Sequence, residues 1–289
     1  MRITKSNLKL IVGKEGYVGN ELLSTIQQNK LPFLCTSRKG EGENVLQLDI
    51  RKIDDNFFSN IPRYSIVYML ASISSPDLCQ KNYESARKTN VDATCDFIAR
   101  CIKEDMRVCF ASTDAVYGRC SNICDESAEV SPLGAYGEMK AEVENFFSKE
   151  ENFKAVRFSY ILSMHDKFSN YLKKCSENNE VAELFDPFIR SVVGLPDVVS
   201  ALINLDTQWE EMPSKINFAG PEQVSREDIA LAFKKVCDAR LKFKITTPPE
   251  SFFYNRPRQI NMGSKYFHQL LGRNPLGVEE IYSYYSGIN

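Results

Sequence analysis

Tyr136 and Lys140, four residues apart in the run Tyr136-Gly137-Glu138-Met139-Lys140, combine types and spacing that suggest chemistry. On a helix an i,i+4 pair shares one face, so phenol and ammonium become neighbours. The ammonium stabilises a phenolate, and the tyrosine can then exchange a proton near neutral pH. The lysine can also hold the ribose of a nucleotide cofactor. Upstream, an apolar run ends in Ala111-Ser112-Thr113-Asp114-Ala115-Val116-Tyr117-Gly118, where Thr113 offers its hydroxyl to a carbonyl oxygen. A Tyr-x-x-x-Lys spacing by itself is common on helices. The elements around it decide whether it matters.

A glycine-punctuated turn, Gly13-Lys14-Glu15-Gly16-Tyr17-Val18-Gly19, separates an apolar strand from an amphipathic helix. Gly13 permits the tight turn, Gly16 lets the backbone approach a pyrophosphate, and Gly19 lets helix and strand pack closely. The N–H groups of Tyr17 and Val18 at the helix start then face the phosphates. An acidic residue would be expected about 20 residues beyond the glycines to bind the 2′-hydroxyl of NAD. The chain has Thr36-Ser37-Arg38-Lys39 there instead, and Arg38 and Lys39 suit a 2′-phosphate, so NADP(H) is expected over NAD(H). Asp49 and Ile50 close the third strand, where a carboxylate and an apolar side chain could meet the adenine. Leu70-Ala71-Ser72 ends the fourth strand and should run past the nicotinamide ribose.

The elements that must position these groups can be read from periodicity. Strands are predicted at 8–12, 33–36, 45–48, 66–71, 108–111 and 154–158, with helices at 17–28, 83–103 and 136–147. This alternation predicts an α/β fold with a doubly wound parallel sheet, whose ligands bind at the carboxyl ends of the strands. Beyond it, Ser225-Arg226-Glu227-Asp228 reads as a capping box, Leu241–Ile245 as a half-exposed strand, and Ser264 as the cap of a short helix that Gly272 ends. Residues 1–160 are expected to form the dinucleotide-binding domain, with 190–219 returning to it. Residues 161–189 and 220–289 are expected to form a smaller α/β substrate lobe.

Composition narrows the partners. The 289 residues carry 36 basic and 38 acidic side chains, a formal charge of −2, so no basic excess points to nucleic acid. No apolar run approaches the roughly 20 residues that cross a bilayer. Arg2, Lys5 and Lys9 precede only a short apolar stretch, so no signal peptide is expected. Nine cysteines without a C-x-x-C pair and two histidines point to a reducing, cytoplasmic setting with thiols as small hydrophobes, and no metal site is expected. Cys120 and Cys124, the closest pair, read as loop residues.

The order of glycine turn, hydroxyl and Tyr/Lys helix resembles that of an extended short-chain dehydrogenase/reductase with a Rossmann fold. More narrowly, the chain is similar to the dTDP-4-dehydrorhamnose reductase family. The resemblance is carried by Ser112-Thr113-Asp114, by Pro132-Leu133-Gly134-Ala135-Tyr136-Gly137-Glu138-Met139-Lys140 and by Asn217-Phe218-Ala219-Gly220-Pro221-Glu222 with Ser225-Arg226. Arg256-Pro257, Asn261, Ser264-Lys265 and Leu271-Gly272 add to it. It implies that Tyr136 donates the proton, Lys140 lowers its pKa and Thr113 binds the carbonyl of a nucleotide-linked 4-keto-6-deoxyhexose. Asn90 is expected to hold the irregular backbone after the fourth strand. The superfamily often dimerises through the helices after strands four and five, and a homodimer is one option that the residues leave open.

Neighbouring activities leave marks that can be checked. Dehydratases of this superfamily carry an Asp-Glu pair after the threonine, but Ala115 follows Asp114 here. The GDP-fucose synthase type places a cysteine at that position, and Cys109 lies inside the strand, where it reads as core. Phe158-Ser159-Tyr160-Ile161-Leu162-Ser163 departs from the family's usual sequence after its sixth strand. His165 follows as a pocket-edge or structural residue. Arg190 and Arg256 are the candidates for the substrate's diphosphate, since guanidinium forks match phosphate geometry. Two other readings are an epimerase that retains NAD and a non-catalytic NADP-binding subunit. The first lacks its acidic residue at 36–39, and the second does not require an intact Thr113, Tyr136 and Lys140.

Overall fold

The computed structural model describes residues 8–287; Arg2 and Lys5 lie outside them. In chain order the elements are β1 (Lys9–Val12), α1 (Tyr17–Gln28), β2 (Phe33–Ser37), β3 (Val45–Gln47), β4 (Ile66–Met69), α2 (Pro76–Lys81), α3 (Tyr83–Arg87), α4 (Thr94–Lys103) and β5 (Arg107–Thr113). There follow β6 (Cys120–Cys124), α5 (Ala135–Phe146), β7 (Phe153–Phe158), β8 (Ile161–Leu162), α6 (Lys167–Glu177), β9 (Val181–Phe185), β10 (Ile189–Arg190), β11 (Val193–Gly194) and α7 (Leu195–Thr207). The chain ends with β12 (Lys215–Phe218), α8 (Arg226–Val236), β13 (Lys242–Thr246), β14 (Gln259–Met262), α9 (Phe267–Leu271) and α10 (Val278–Ser286).

A seven-stranded sheet runs β12-β7-β5-β4-β1-β2-β3, and its β1, β2, β3, β4 and β5 pair in parallel. Strand order reverses at β1, the switch point at which a doubly wound sheet opens a ligand crevice. The uninterrupted apolar character of 10–12, 66–69 and 108–110 reflects burial on both faces, as parallel strands require. The chain divides into two compact units. Among the described residues one comprises 8–113, 135–156 and 206–216, and the other 114–134, 157–205 and 217–287.

The first unit has its own core, including Leu10, Val12, Val67, Met69, Phe97, Val108, Phe110, Met139 and Phe153. At the start of β1 and β5 it also buries an ion cluster. Lys9 Nζ lies 3.0 Å from Asp206 Oδ2, and Arg107 donates to the other oxygen and to the Asp206 carbonyl. Three charges meet there out of water, and Arg107 Nε is left buried without a hydrogen-bond partner. The second unit encloses a separate core of Leu162, Leu172, Leu184, Ile229, Phe233, Leu241, Ile281 and Tyr282. Its α8 starts with the expected capping box, Ser225 Oγ accepting from Asp228 N at 3.1 Å and Asp228 Oδ2 from Ser225 N at 2.8 Å. Gly272 ends α9 at φ +68°, the left-handed cap.

Two expectations are corrected. The helix predicted over 83–103 is not continuous: a π-helical segment, Lys88–Ala93, separates α3 from α4. The hydroxyl of Thr94 donates to the carbonyl of Thr89, five residues back, at 2.9 Å. Such segments insert a residue and turn a side chain that a regular helix would aim elsewhere. Cys120 and Cys124 do not lie in a loop. They open and close β6, and their sulfurs are joined in a disulfide. Four-residue spacing along a strand normally keeps sulfurs apart, but β6 bulges against β14: Ile260 faces Cys120 and Met262 faces Cys124, so the longer stretch of β6 opposes the shorter one.

Candidate functional site

The glycine turn lies where β1 ends. Gly13 takes φ +100°, and a Cβ there would stand 2.8 Å from the Ala71 nitrogen. A Cβ on Gly19 would meet the Gly13 carbonyl oxygen at 2.2 Å. Both positions therefore exclude any larger residue. No side chain caps α1 and its first turn holds no acidic residue, which leaves the positive end of the helix dipole for an anion.

A cleft of about 510 Å³ in the first unit is lined by Gly13, Gly16, Thr36, Ser37, Arg38, Asp49, Ile50, Leu70, Ala71 and Ser72. These are residues that the sequence nominated for a dinucleotide, gathered from the ends of four strands. Tyr17, Val18, Gly19 and Lys39 do not line it; Lys39 is exposed and Gly19 packs helix against strand. Sequence reasoning missed Glu15, Ile73, Thr89 and above all Arg51, which line the same cleft. Arg51 grips Asp49: its Nε and backbone N–H each donate to Oδ1 at 3.0 Å and Nη2 donates to Oδ2 at 2.7 Å. These bonds from Arg51 hold the Asp49 carboxyl down at about 2. The carboxylate assigned to the adenine is thus already committed to a guanidinium. Only the short spacing Asp49-Ile50-Arg51 could have signalled this. No carboxylate closes β2, where the Ser37 hydroxyl accepts instead from the Gly40 N–H at 2.9 Å.

The irregular backbone after β4 is held as predicted. Asn90, turned inward on the π-helical segment, accepts from Ile73 N at 2.8 Å and from the Ser72 hydroxyl at 3.2 Å, while its amide donates to the Ile73 carbonyl at 3.0 Å.

The Tyr/Lys pair sits on α5. Lys140 is 2% exposed, and its Nζ donates to the Ala111 carbonyl at 2.7 Å. It stands 4.5 Å from the centre of the Phe110 ring and 5.9 Å from that of Tyr136. Burial pushes its pKa down to about 7, against an upward pull from Glu144. Tyr136 is half-buried against the core, and Thr113 is buried at the end of β5. Strand and helix are joined again one turn further on, where the Ser112 hydroxyl donates to Glu144 Oε1 at 2.5 Å. Glu144 was not anticipated, although its spacing from Tyr136 and Lys140 could have marked it.

In the second unit the two arginines nominated for phosphate differ. Arg190 is 6% exposed. Its Nη1 donates to the Ile189 carbonyl at 2.7 Å, its Nη2 to the Pro257 carbonyl at 2.7 Å, and its Nε lies 3.5 Å from Asp114 Oδ2. Its donors are committed to the protein. Arg256 is half-buried above the Phe252 ring and lines a cleft of about 640 Å³ with Arg119, Arg258, Phe253, Tyr254 and Glu250. Arg258 is held there by Glu250, Nη2 to both carboxylate oxygens at 2.7 and 2.8 Å. His165 is exposed, lines neither cleft, and its ring meets Tyr285 edge-on at 5.9 Å. Cys109 is fully buried, and burial raises its thiol pKa.

A sequence profile of the RmlD substrate binding domain matches residues 8–273. This chain belongs to that family. RmlD-type proteins are NAD(P)-dependent enzymes that modify nucleotide-linked sugars. The fold is that of a dTDP-4-dehydrorhamnose reductase from Clostridium acetobutylicum, with TM-score 0.83 and 19% identity over 97% of this chain and 99% of that one. A hypothetical dTDP-4-dehydrorhamnose reductase from Sulfolobus tokodaii gives 0.80 and 22%, over 94% and 98%. A UDP-glucuronic acid 4-epimerase from Bacillus cereus, solved with UDP-glucuronic acid and NAD, gives 0.79 and 18%, over 98% and 100%. No curated protein matches the sequence. Among the described residues of this RmlD-family chain, no helix is long and apolar enough to cross a membrane.

Proposed function

We propose that this protein is an NADPH-dependent reductase of a nucleotide-linked 4-keto-6-deoxyhexose. The observation that carries the reading is the buried Lys140 ammonium, anchored on the Ala111 carbonyl one helical turn from Tyr136 and beside the strand that ends in Thr113. A nicotinamide held in the cleft of the first unit would supply the hydride. Tyr136 delivers a proton to the oxygen that takes up charge at the former carbonyl. Thr113 steadies that oxygen through its hydroxyl, and Lys140 keeps the phenol acidic enough to give the proton up. The glycine turn would hold the pyrophosphate, and Leu70, Ala71 and Ser72 would hold the nicotinamide ribose.

NADPH is favoured over NADH by what surrounds the end of β2. Arg38 and Arg51 both line the cleft, and no carboxylate stands where a 2′-hydroxyl would need one. Arg38 is the candidate for the 2′-phosphate, with Arg51 held beside it on Asp49, while Ile50 keeps its place beside the adenine. Ala115 replaces the glutamate that a dehydratase uses after Asp114, and Asp114 faces Arg190. In the second unit Arg256 is the candidate for the substrate's diphosphate, with the exposed Tyr254 offering its ring to a base. Arg190, committed to backbone carbonyls and Asp114, is withdrawn from that role.

The test is to assay the purified protein for co-purified cofactor, titrate it with NADPH and NADH, and follow NADPH consumption with 4-keto-6-deoxy nucleotide sugars. Reversible binding at least about tenfold tighter for NADPH, with turnover, is expected. Tightly retained NAD would instead make the protein an epimerase. Binding of neither would leave the catalytic set idle.

A further inference from the structure

Tyr136, Lys140 and Glu144 recur every four residues and so stand in one row along α5. Glu144 is a carboxylate only 3% exposed, and a buried charge is retained only where another group answers it. Its Oε1 accepts from the Ser112 hydroxyl, the residue between the Ala111 carbonyl that receives Lys140 and Thr113. We propose that Glu144 is a positioning residue for the Lys140 ammonium, a buried counter-charge that keeps the proton on Lys140 while its bond to Ser112 fixes the helix against β5. The proposal deepens the reductase reading and rests on it for its catalytic meaning.

The surroundings of Lys140 explain why a counter-charge is needed. From β5 it meets the Phe110 ring and the Ala111 carbonyl, and from its own helix the Tyr136 ring; Glu144, one turn on, acts on it through its charge. From α2 the titratable group acting on it is Cys79, whose thiol burial pushes up, so that it is neutral near pH 7. The nearby Asn90 contributes an uncharged amide, 3.6 Å from the Cys79 sulfur and 3.8 Å from the Met139 sulfur. Burial alone drives Lys140 toward the neutral amine, and a neutral amine no longer favours a Tyr136 phenolate. Glu144 is the carboxylate whose charge opposes that loss. A structural staple would need only an acceptor for the Ser112 hydroxyl, which glutamine supplies equally well. The charge is what distinguishes the two roles.

The experiment is a nuclear magnetic resonance titration of the full-length protein, labelled in the lysine side-chain nitrogen and the tyrosine ring. Signals are assigned with Lys140→Met and Tyr136→Phe. In Glu144→Gln the Lys140 midpoint should fall by about one pH unit or more and that of Tyr136 should rise, with the melting temperature little changed. Ser112→Ala, which keeps the charge, should leave the Lys140 midpoint close to that of the wild type. Glu144→Asp should lie nearer wild type than Glu144→Gln does; it also serves if the glutamine variant fails to fold. An unchanged Lys140 midpoint in Glu144→Gln, or an aspartate variant that titrates like the glutamine one, would overturn the proposal. No substrate enters the measurement. A shifted midpoint without reductase turnover would remove the reductase reading alone, and turnover without a shift would remove the role of Glu144 alone.

Discussion

The cleft of the first unit and the arginine-lined cleft of the second are made of different materials. The first has one wall of backbone, the Gly13 turn against Ala71 and a strand exit pinned by Asn90, and another of side chains, Arg38, Asp49 and Arg51. The second is bounded by long side chains, Arg119, Arg256, Arg258 and Tyr254, with Arg256 laid over Phe252 and Arg258 over Phe253. Backbone walls tolerate almost no change, because an added Cβ has nowhere to go. Side-chain walls can be exchanged one residue at a time without disturbing the fold.

The largest expected effect lies in the backbone-walled unit. Tyr136→Phe should lower reductase turnover by roughly 10²- to 10⁴-fold, with NADPH affinity within a few-fold of wild type. Full activity in steady-state assays of that variant would remove Tyr136 as the proton donor. A crossed pair sharpens the contrast between the clefts. Arg256→Ala should raise KM for the nucleotide sugar by about tenfold and leave NADPH binding alone; Arg38→Ala should weaken NADPH about tenfold more than NADH and leave that KM alone. Calorimetric titration together with initial rates would check both. Uncrossed losses would mean that the two arginines do not serve separate ligands.

The smallest effect concerns stability. Lys140 has its pKa depressed from 10.5 to about 7, so between these values the folded protein binds fewer protons than the unfolded chain. The cost of burying the amine is therefore fully present below pH 7 and fades as pH rises toward 10.5. Lys140→Met lacks this cost. Its melting temperature relative to wild type should be highest near pH 6–7 and should fall back as pH approaches 10. A difference that grows with pH would show that Lys140 is not held as a desolvated cation.

Much of this was legible in the residues. Val45–Gln47, Phe33–Ser37 and Tyr17–Gln28 fall within a residue of their predicted bounds, because strand and helix periodicity and glycine punctuation are local signals. The π-helical turn was not, since nothing in Lys88–Ala93 but Asn90 distinguishes it from ordinary helix, and the inserted residue is stabilised by what Asn90 reaches after β4. The β6 bulge was hidden for a similar reason: a cysteine pair in a polar stretch has no strand signal until β14 lies beside it.

The glycine turn, the Tyr136–Lys140 row, the basic end of β2 and the family were determined by the sequence itself, since each depends on neighbours a few residues away or on a fixed order of motifs. Tertiary structure alone decided that Arg51 closes on Asp49, that Glu144 meets Ser112 across 32 positions, and that Arg190 is buried on Asp114 and the Pro257 carbonyl while Arg256 lines an open cleft. Two arginines look alike in a sequence. What separates them is whether folding buries the guanidinium among carbonyls and a carboxylate from distant segments, as for Arg190, or leaves it half-buried on the wall of a cleft, where Arg256 also donates to the Phe252 carbonyl at 3.4 Å.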